Sequence, residues 1–246
     1  MIINNIISLS FITSIFISSI FAGTLTGTVN YDGKAMPKQP STQLKKMMDD
    51  PVCGSKHETP VYRQSLIVND NKTLKNALVY FKNIKYEGNP IETPATLDQN
   101  GCLYSPHVLG VMANQQVIIR NSDANVLHNV HSLAKNNMQF NAAMPIIMDL
   151  PVTFTEVESP FVIKCDVHAW MKAYVSVFNH PYFSVTDDSG RYQIDNIPSG
   201  KYEVVAWHER DLKRMGYTQT KEIEIVEDGT ILDFSLSKGE KKKKKK

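Results

Sequence analysis

The segment Cys165-Asp-Val-His168-Ala-Trp-Met171 puts a thiol, an imidazole and a thioether on one short stretch between two apolar runs. Donors this soft select copper. A trigonal set of two histidines and one cysteine, with a weak axial methionine, is an electron-transfer arrangement. The second imidazole has to come from elsewhere, and Asn121-Ser-Asp-Ala-Asn-Val-Leu-His128-Asn-Val-His131 offers it directly after the apolar run Gln116–Arg120. Other uses of these residues fit less well. A cysteine–histidine nucleophilic pair normally joins distant segments rather than two positions on one tight loop. A thioether is a poor zinc ligand, and the spacing of a Cys₂His₂ zinc site is absent. A buried thiol beside a surface histidine would need neither Met171 nor the upstream histidines. His131, an odd number of residues from His128, faces the opposite way if both lie in a strand. It reads as a supporting or surface histidine, and Asp166 reads as solvated.

Short β-strands must position these loops. Thr24–Tyr31, Ala77–Phe81, Gln116–Arg120, Val152–Thr155, Phe161–Lys164 and Ala173–Phe178 are alternating or apolar runs. They are separated by turn residues at Asp98–Gly101, Asn121–Asp123 and Ser159-Pro160. Residues 34–61 read as a long polar loop with a helical turn at Thr42–Met48. A second β-unit opens near His180, with runs at Tyr182–Thr186, Tyr192–Ile194, Tyr202–Trp207, Lys221–Val226 and Ile231–Leu236. No sustained helical period occurs, so the expectation is an all-β chain built of sandwiches. The expected division is 1–22 leader, 23–178 first sandwich with an N-terminal extension, 179–237 second sandwich and 238–246 lysine tail.

The Cys-x₂-His-x₂-Met spacing and the His-Asn-Val-His string resemble the cupredoxins, amicyanins most closely, over roughly Ala77 to Phe178. The resemblance implies a Greek-key sandwich with one type 1 copper ligated by His128, Cys165, His168 and Met171. It also implies that the backbone amide of Asn129 hydrogen-bonds the ligand sulfur. Val126, Val167 and Trp170 would exclude water. Residues 181–236 resemble the carboxypeptidase regulatory-like, carbohydrate-binding-like sandwich, on Asp188–Ile194, Ile197–Tyr202 and Ala206-Trp207. Those motifs are turns and core aromatics and imply no catalysis. His180 and His208 read as structural or interface residues, and Trp207 reads as core. The tandem order resembles proteins labelled as methylamine-utilisation proteins.

With Cys165 assigned to the metal, Cys53 and Cys102 remain to pair as a disulfide. The alternative is a second metal site, in which Cys53 and His57 join Cys102 and His107. No CxxCH string supports covalent haem.

The first 22 residues carry no charge and are rich in Ile, Phe and Ser, which suits a secretory leader cleaved after Ala22; an uncleaved anchor is the alternative. Without the six terminal lysines the formal charge of +2 becomes −4, which argues against nucleic-acid binding. Membrane contact is left to an uncleaved leader or the lysine tail. The reading is therefore a periplasmic, non-enzymatic carrier of single electrons serving a redox partner protein of unidentified kind. Two alternatives use other features. A copper chaperone or sensor would draw on Met138, Met144 and Met148, and a binding or adhesion module would keep the copper site as a remnant.

Overall fold

A computed structural model describes residues 22–33, 42–212 and 217–237. The expected leader, apart from Ala22, and the lysine tail lie outside the described residues. The elements run β1 (Ala22–Tyr31), α1 (Thr42–Asp49), β2 (Leu78–Lys82), β3 (Ala95–Asn100), β4 (Leu103–Ser105), β5 (Val108–Met112), β6 (Gln116–Asn121), β7 (His128–Ser132) and β8 (Asn141–Met144). They continue with β9 (Met148–Thr153), β10 (Glu158–Lys164), β11 (Lys172–Phe178), β12 (Phe183–Val185), β13 (Arg191–Pro198), β14 (Gly200–Trp207), β15 (Thr218–Ile225), β16 (Thr230–Ile231) and β17 (Phe234–Leu236).

The architecture is all β, in two sandwiches. One pairs the sheet β5-β11-β10-β7-β8 with the sheet β4-β3-β6-β9. The inward residues of both sheets form one core, with Leu97, Tyr104, Val117 and Ile119 meeting Val130, Ile163, Met171 and Val175. The pattern is written in the strands. In β6, Val117, Ile119 and Asn121 are buried while Gln116 and Arg120 face out, as the twofold side-chain period of a strand requires. Arg120 pairs with Asp149 across the β6–β9 ladder on the outer face.

The second sandwich is not assembled where the sequence predicts. β1 and β2, expected in the first unit, lie in the second. β1 pairs antiparallel with β13 and parallel with β16 and β17, while β2 is flanked by β12 and β14. Leu25, Val29 and Phe81 are fully buried there among Ile194, Ile197, Val204 and Phe234. The reason is edge satisfaction. The C-terminal strands alone leave β13 unpaired and one edge of β14 open, the other edge being taken by β15, and β1 and β2 supply both the hydrogen bonds and the apolar faces. Two glycines make β1 compatible with this seat. A Cβ at Gly23 would fall 2.4 Å from the carbonyl oxygen of Val226, and one at Gly27 would fall 2.0 Å from that of Leu232.

Five further strands, β3, β4, β5, β7 and β8, were not expected as strands. Of the Asp98–Gly101 segment, read as a turn, Asp98–Asn100 is the end of β3. The turn itself is one step later, at Gly101 and Cys102, with φ of +62° and +55°. These two residues join Asn100 to Leu103 in an antiparallel hairpin, where paired left-handed residues match the strand twist. α1 and the 3-10 turn Gly54–Lys56 pack onto the first sandwich through Leu44 and Met47.

The two sandwiches meet through Leu78, Val108, Tyr174, Phe178 and Trp207, all buried, with Phe183 stacked on Phe178 at 4.7 Å. Leu78 is fully inaccessible in this junction. Leu78→Ala is expected to cost about 2–5 kcal/mol in urea unfolding. A loss well under 1 kcal/mol would mean that the junction is not packed.

Candidate metal centre

Cys165 sits at the end of β10 and Met171 directly before β11. The loop between them is closed on itself: the Met171 amide donates to the His168 carbonyl (2.9 Å) and the Cys165 amide to the Met171 carbonyl (3.2 Å). The turn folds His168 back over Cys165, and its amide donates to Cys165 Sγ at 3.4 Å. His128 opens β7, which is separated from β10 by two strands in the sequence but lies next to it in the sheet. Nδ1 of His128 and Nδ1 of His168 lie 3.0 Å apart, and Nδ1 of His168 lies 3.8 Å from Cys165 Sγ. The three donor atoms fall within 4.8 Å of one another.

Of the four expected ligands, three therefore converge through ligating atoms. Met171 is fully buried in the same core, its backbone bonded to both Cys165 and His168. The donors suit a soft ion, one thiolate and two imidazoles, and they are held apart from water. His128 is inaccessible and Cys165 is 2% exposed.

Two polar side chains fix this arrangement. Asn129 is one. Its Oδ1 accepts from the amides of Asp166 (2.7 Å) and Val167 (3.3 Å) and from the Cys165 thiol (3.2 Å). Its Nδ2 donates to Asn141. The side chain thus clamps the ligand loop, a role beyond the backbone contact expected from the family resemblance. Asp123 is the other, and sequence reasoning did not single it out. Its carboxylate, 2% exposed, accepts from the amides of Gly101 and Cys102 at 2.8 Å each, from His128 Nε2 at 2.9 Å and from the Lys56 ammonium at 3.2 Å. An ionised carboxylate can only accept, so Nε2 of His128 carries a proton and Nδ1 is the ring atom that faces the ligand cluster. The only signal was Asn121-Ser-Asp123, which looks like any turn.

The electrostatics follow from these contacts. Burial opposes ionisation of the Cys165 thiol, but hydrogen bonds from His128, His168 and the amides of Asn129 and His168 outweigh it and bring the thiol down to about 6. Burial likewise opposes charge on His128, yet Asp123 and the Cys165 sulfur hold its proton more tightly than usual. To hold a metal, Cys165 and His128 would have to give up the protons on their ligating atoms, and the lowered thiol value makes that easier at Cys165.

The remaining expected residues fall elsewhere. Cys53 and Cys102 form a disulfide, and Cys53 Sγ lies 3.8 Å from His168 Nε2, so the disulfide abuts the ligand's outer edge. The alternative second metal site is not formed. His57 Nε2 bonds the Gly101 carbonyl (2.7 Å), and His107 pairs with Glu209 (3.1 Å). Neither belongs to a group of converging ligand atoms among the described residues. His131 faces Asp166 (2.9 Å). Asp166, expected to be merely solvated, also accepts from Lys164 and Asn141. Val126 is buried and Trp170 packs on His168 with ring centroids 5.0 Å apart, whereas Val167 is half exposed and shields little. Met144 is inaccessible with its sulfur accepting from Gln99, and Met138 is 82% exposed, so these methionines do not share a site. His180 and His208 are buried, and so is Trp207.

The candidate ligands of the first sandwich come from the start of β7 and from the β10–β11 loop at one end. No protein-family model matches the chain, and no curated protein matches it. Among solved structures, a copper-containing nitrite reductase from Thermus scotoductus SA-01 is similar at 19% identity and a TM-score of 0.33. That match covers 39% of this chain and 25% of that one, so the chain spans about a quarter of the reductase. A mutant of amicyanin in the Cu(I) state is similar at 23% identity over 35% of this chain and 82% of that one, with a TM-score of 0.31. A purple cupredoxin from Nitrosopumilus maritimus is similar at 24% identity over 34% and 99%, with a TM-score of 0.29. At these scores the donor geometry, not the likeness, carries the functional reading.

Asp123 holds its carboxyl far below the usual carboxylate range: burial opposes this, and the bonds from His128, the two amides and Lys56 outweigh burial. A depressed folded-state value contributes stability that is fully present above the unfolded value, near pH 4, and lost as pH falls below it. Asp123→Asn is therefore expected to lose roughly 2 kcal/mol or more at pH 7. Urea melts at pH 7 and pH 3 should show this gap narrowing in acid; a gap of the same size at both would rule the ionised carboxylate out as its source. The disulfide closes a sequence separation of 49. Replacing both cysteines by serine should cost about 4 kcal/mol, read in the same melts.

Proposed function

We propose that the chain is an exported carrier of single electrons, and that its first sandwich holds one type 1 copper between His128, Cys165 and His168 with Met171 as the weak fourth donor. The observation that carries this is the convergence of two imidazole Nδ1 atoms and one thiol sulfur in a buried, hydrogen-bonded cluster. Copper, when bound, supplies reversible one-electron chemistry.

The chain's own part is rigidity. Asn129 ties the cysteine loop to β7, Asp123 fixes the ring of His128, and both ligand strands are held in one sheet. A donor set anchored this way cannot rearrange between oxidation states. The disulfide supports an oxidising compartment, and so the periplasm. Among the described residues no helix is long and apolar enough to cross a membrane. Dispersal of Met138, Met144 and Met148 favours electron transfer over copper handling. The burial of Trp207 leaves no aromatic sugar platform there, which weighs against the adhesive alternative. The second sandwich, in this reading a carboxypeptidase regulatory-like unit, serves as the scaffold. A redox protein is the partner.

The test is the visible spectrum of protein recovered from the periplasm and given one equivalent of Cu(II), beside Cys165→Ser. An intense thiolate-to-copper band that the variant lacks is expected. A folded, colourless wild type would overturn the electron-carrier reading.

A further inference from the structure

A cleft of about 240 Å³ is lined by residues of both sandwiches, among them Trp170, whose ring packs on His168. Its polar lining includes the neutral Gln43, Gln64 and Ser65 and three cations: Arg63 from the segment after the 3-10 turn, Lys172 from the start of β11 and Arg210 after β14. Among the described residues no carboxylate forms an ion pair with any of the three. The one acid in the lining, Glu209, is taken up by His107 at 3.1 Å, both side chains being more than nine-tenths buried. Two polar atoms here are buried without a hydrogen-bond partner, Nε of Arg210 and Nδ1 of His107. A buried donor left unpaired costs free energy and calls for a missing acceptor. The other wall is apolar, formed by Leu103, Trp170 and the ring of Tyr174.

We propose that this cleft binds a small organic carboxylate, its charged end between Arg63 and Arg210 and its carbon skeleton against Trp170 and Leu103. Guanidinium groups match planar carboxylates through paired hydrogen bonds, and the apolar wall selects a carbon skeleton over an inorganic anion. The volume falls below the roughly 300–1,000 Å³ of sites for drug-sized ligands, which limits the guest to a few carbons. Trp170 is also the ring packed on His168, so occupancy of the cleft adjoins the proposed metal ligand without depending on metal being bound.

Both tryptophans of the chain report on this place, Trp170 in the wall and Trp207 against Tyr174 at 5.9 Å. The experiment is a fluorescence titration of the full-length exported protein, metal-free and at constant ionic strength. The probes are succinate, its uncharged analogue succinamide, and inorganic phosphate. Succinate is expected to give a saturable change that succinamide does not, with affinity about tenfold weaker for each guanidinium removed in Arg63→Ala and Arg210→Gln. Thermal melts matching wild type would show that the variants remain folded. The proposal is overturned if nothing saturates, if succinamide binds as well as succinate, or if folded variants bind like wild type. Phosphate binding tighter than succinate would overturn the carboxylate assignment. None of these readouts requires copper, so failure here leaves the electron-carrier reading standing, and the reverse also holds.

Discussion

A single buried carboxylate joins the metal end of the first sandwich to everything around it. Asp123 faces a heavy desolvation cost. It is stable there because four donors from three separate segments close on it: the hairpin turn at Gly101-Cys102, the ring of His128 and the ammonium of Lys56. Each donor brings a part of the site with it. The turn carries one half of the disulfide, Lys56 belongs to the strap that carries the other half, and His128 is one of the proposed ligands. Removing the carboxylate would leave two buried amides and an imidazole unsatisfied together, so these contacts stand or fall as a network.

The cysteine side of the site is built on the opposite principle, with donors aimed at one sulfur. Three neighbours lower the thiol's proton affinity against the effect of burial, and Asn129 fastens the loop through its carboxamide. The two halves meet at the close approach of the histidine rings. The geometry is preorganised by protein contacts alone, which is what a donor set needs if it is to be the same before and after an electron moves.

The strands β6, β10, β11, β13 and β14 were plain in the sequence, β6 and β13 by alternation and β11 as an apolar run, as were the soft-donor loops and, by counting thiols, the disulfide. The misplacement of β1 and β2 has a clear cause. Alternation tells which face of a strand is buried, not against what, and β1 finds its partners more than 150 residues away, as in Thr24 to Asp195. The short strands β4 and β8 carry too few residues for a period to be visible. Asp123 was hidden because Asn-Ser-Asp is ordinary turn chemistry; only the fold reveals that this turn points inward. His57 and His107 were paired by spacing, and each instead went to a nearer acceptor.

The chain's path between the two sandwiches has a consequence for how the protein is made. It starts in the second unit with β1, crosses to the first at α1 and Cys53, returns for β2, crosses again for β3 to β11, and ends in the second. Emerging from synthesis or export, β1 meets Lys72–Leu74 at its last residues only, and the rest of its edges wait for β13, β16 and β17 to follow. The first sandwich can close while β1 waits; the second cannot. Its folding is governed by long-range closure, slow and exposed to misassociation, and the end that carries the His128–Cys165–His168 cluster can be complete before the scaffold that supports it.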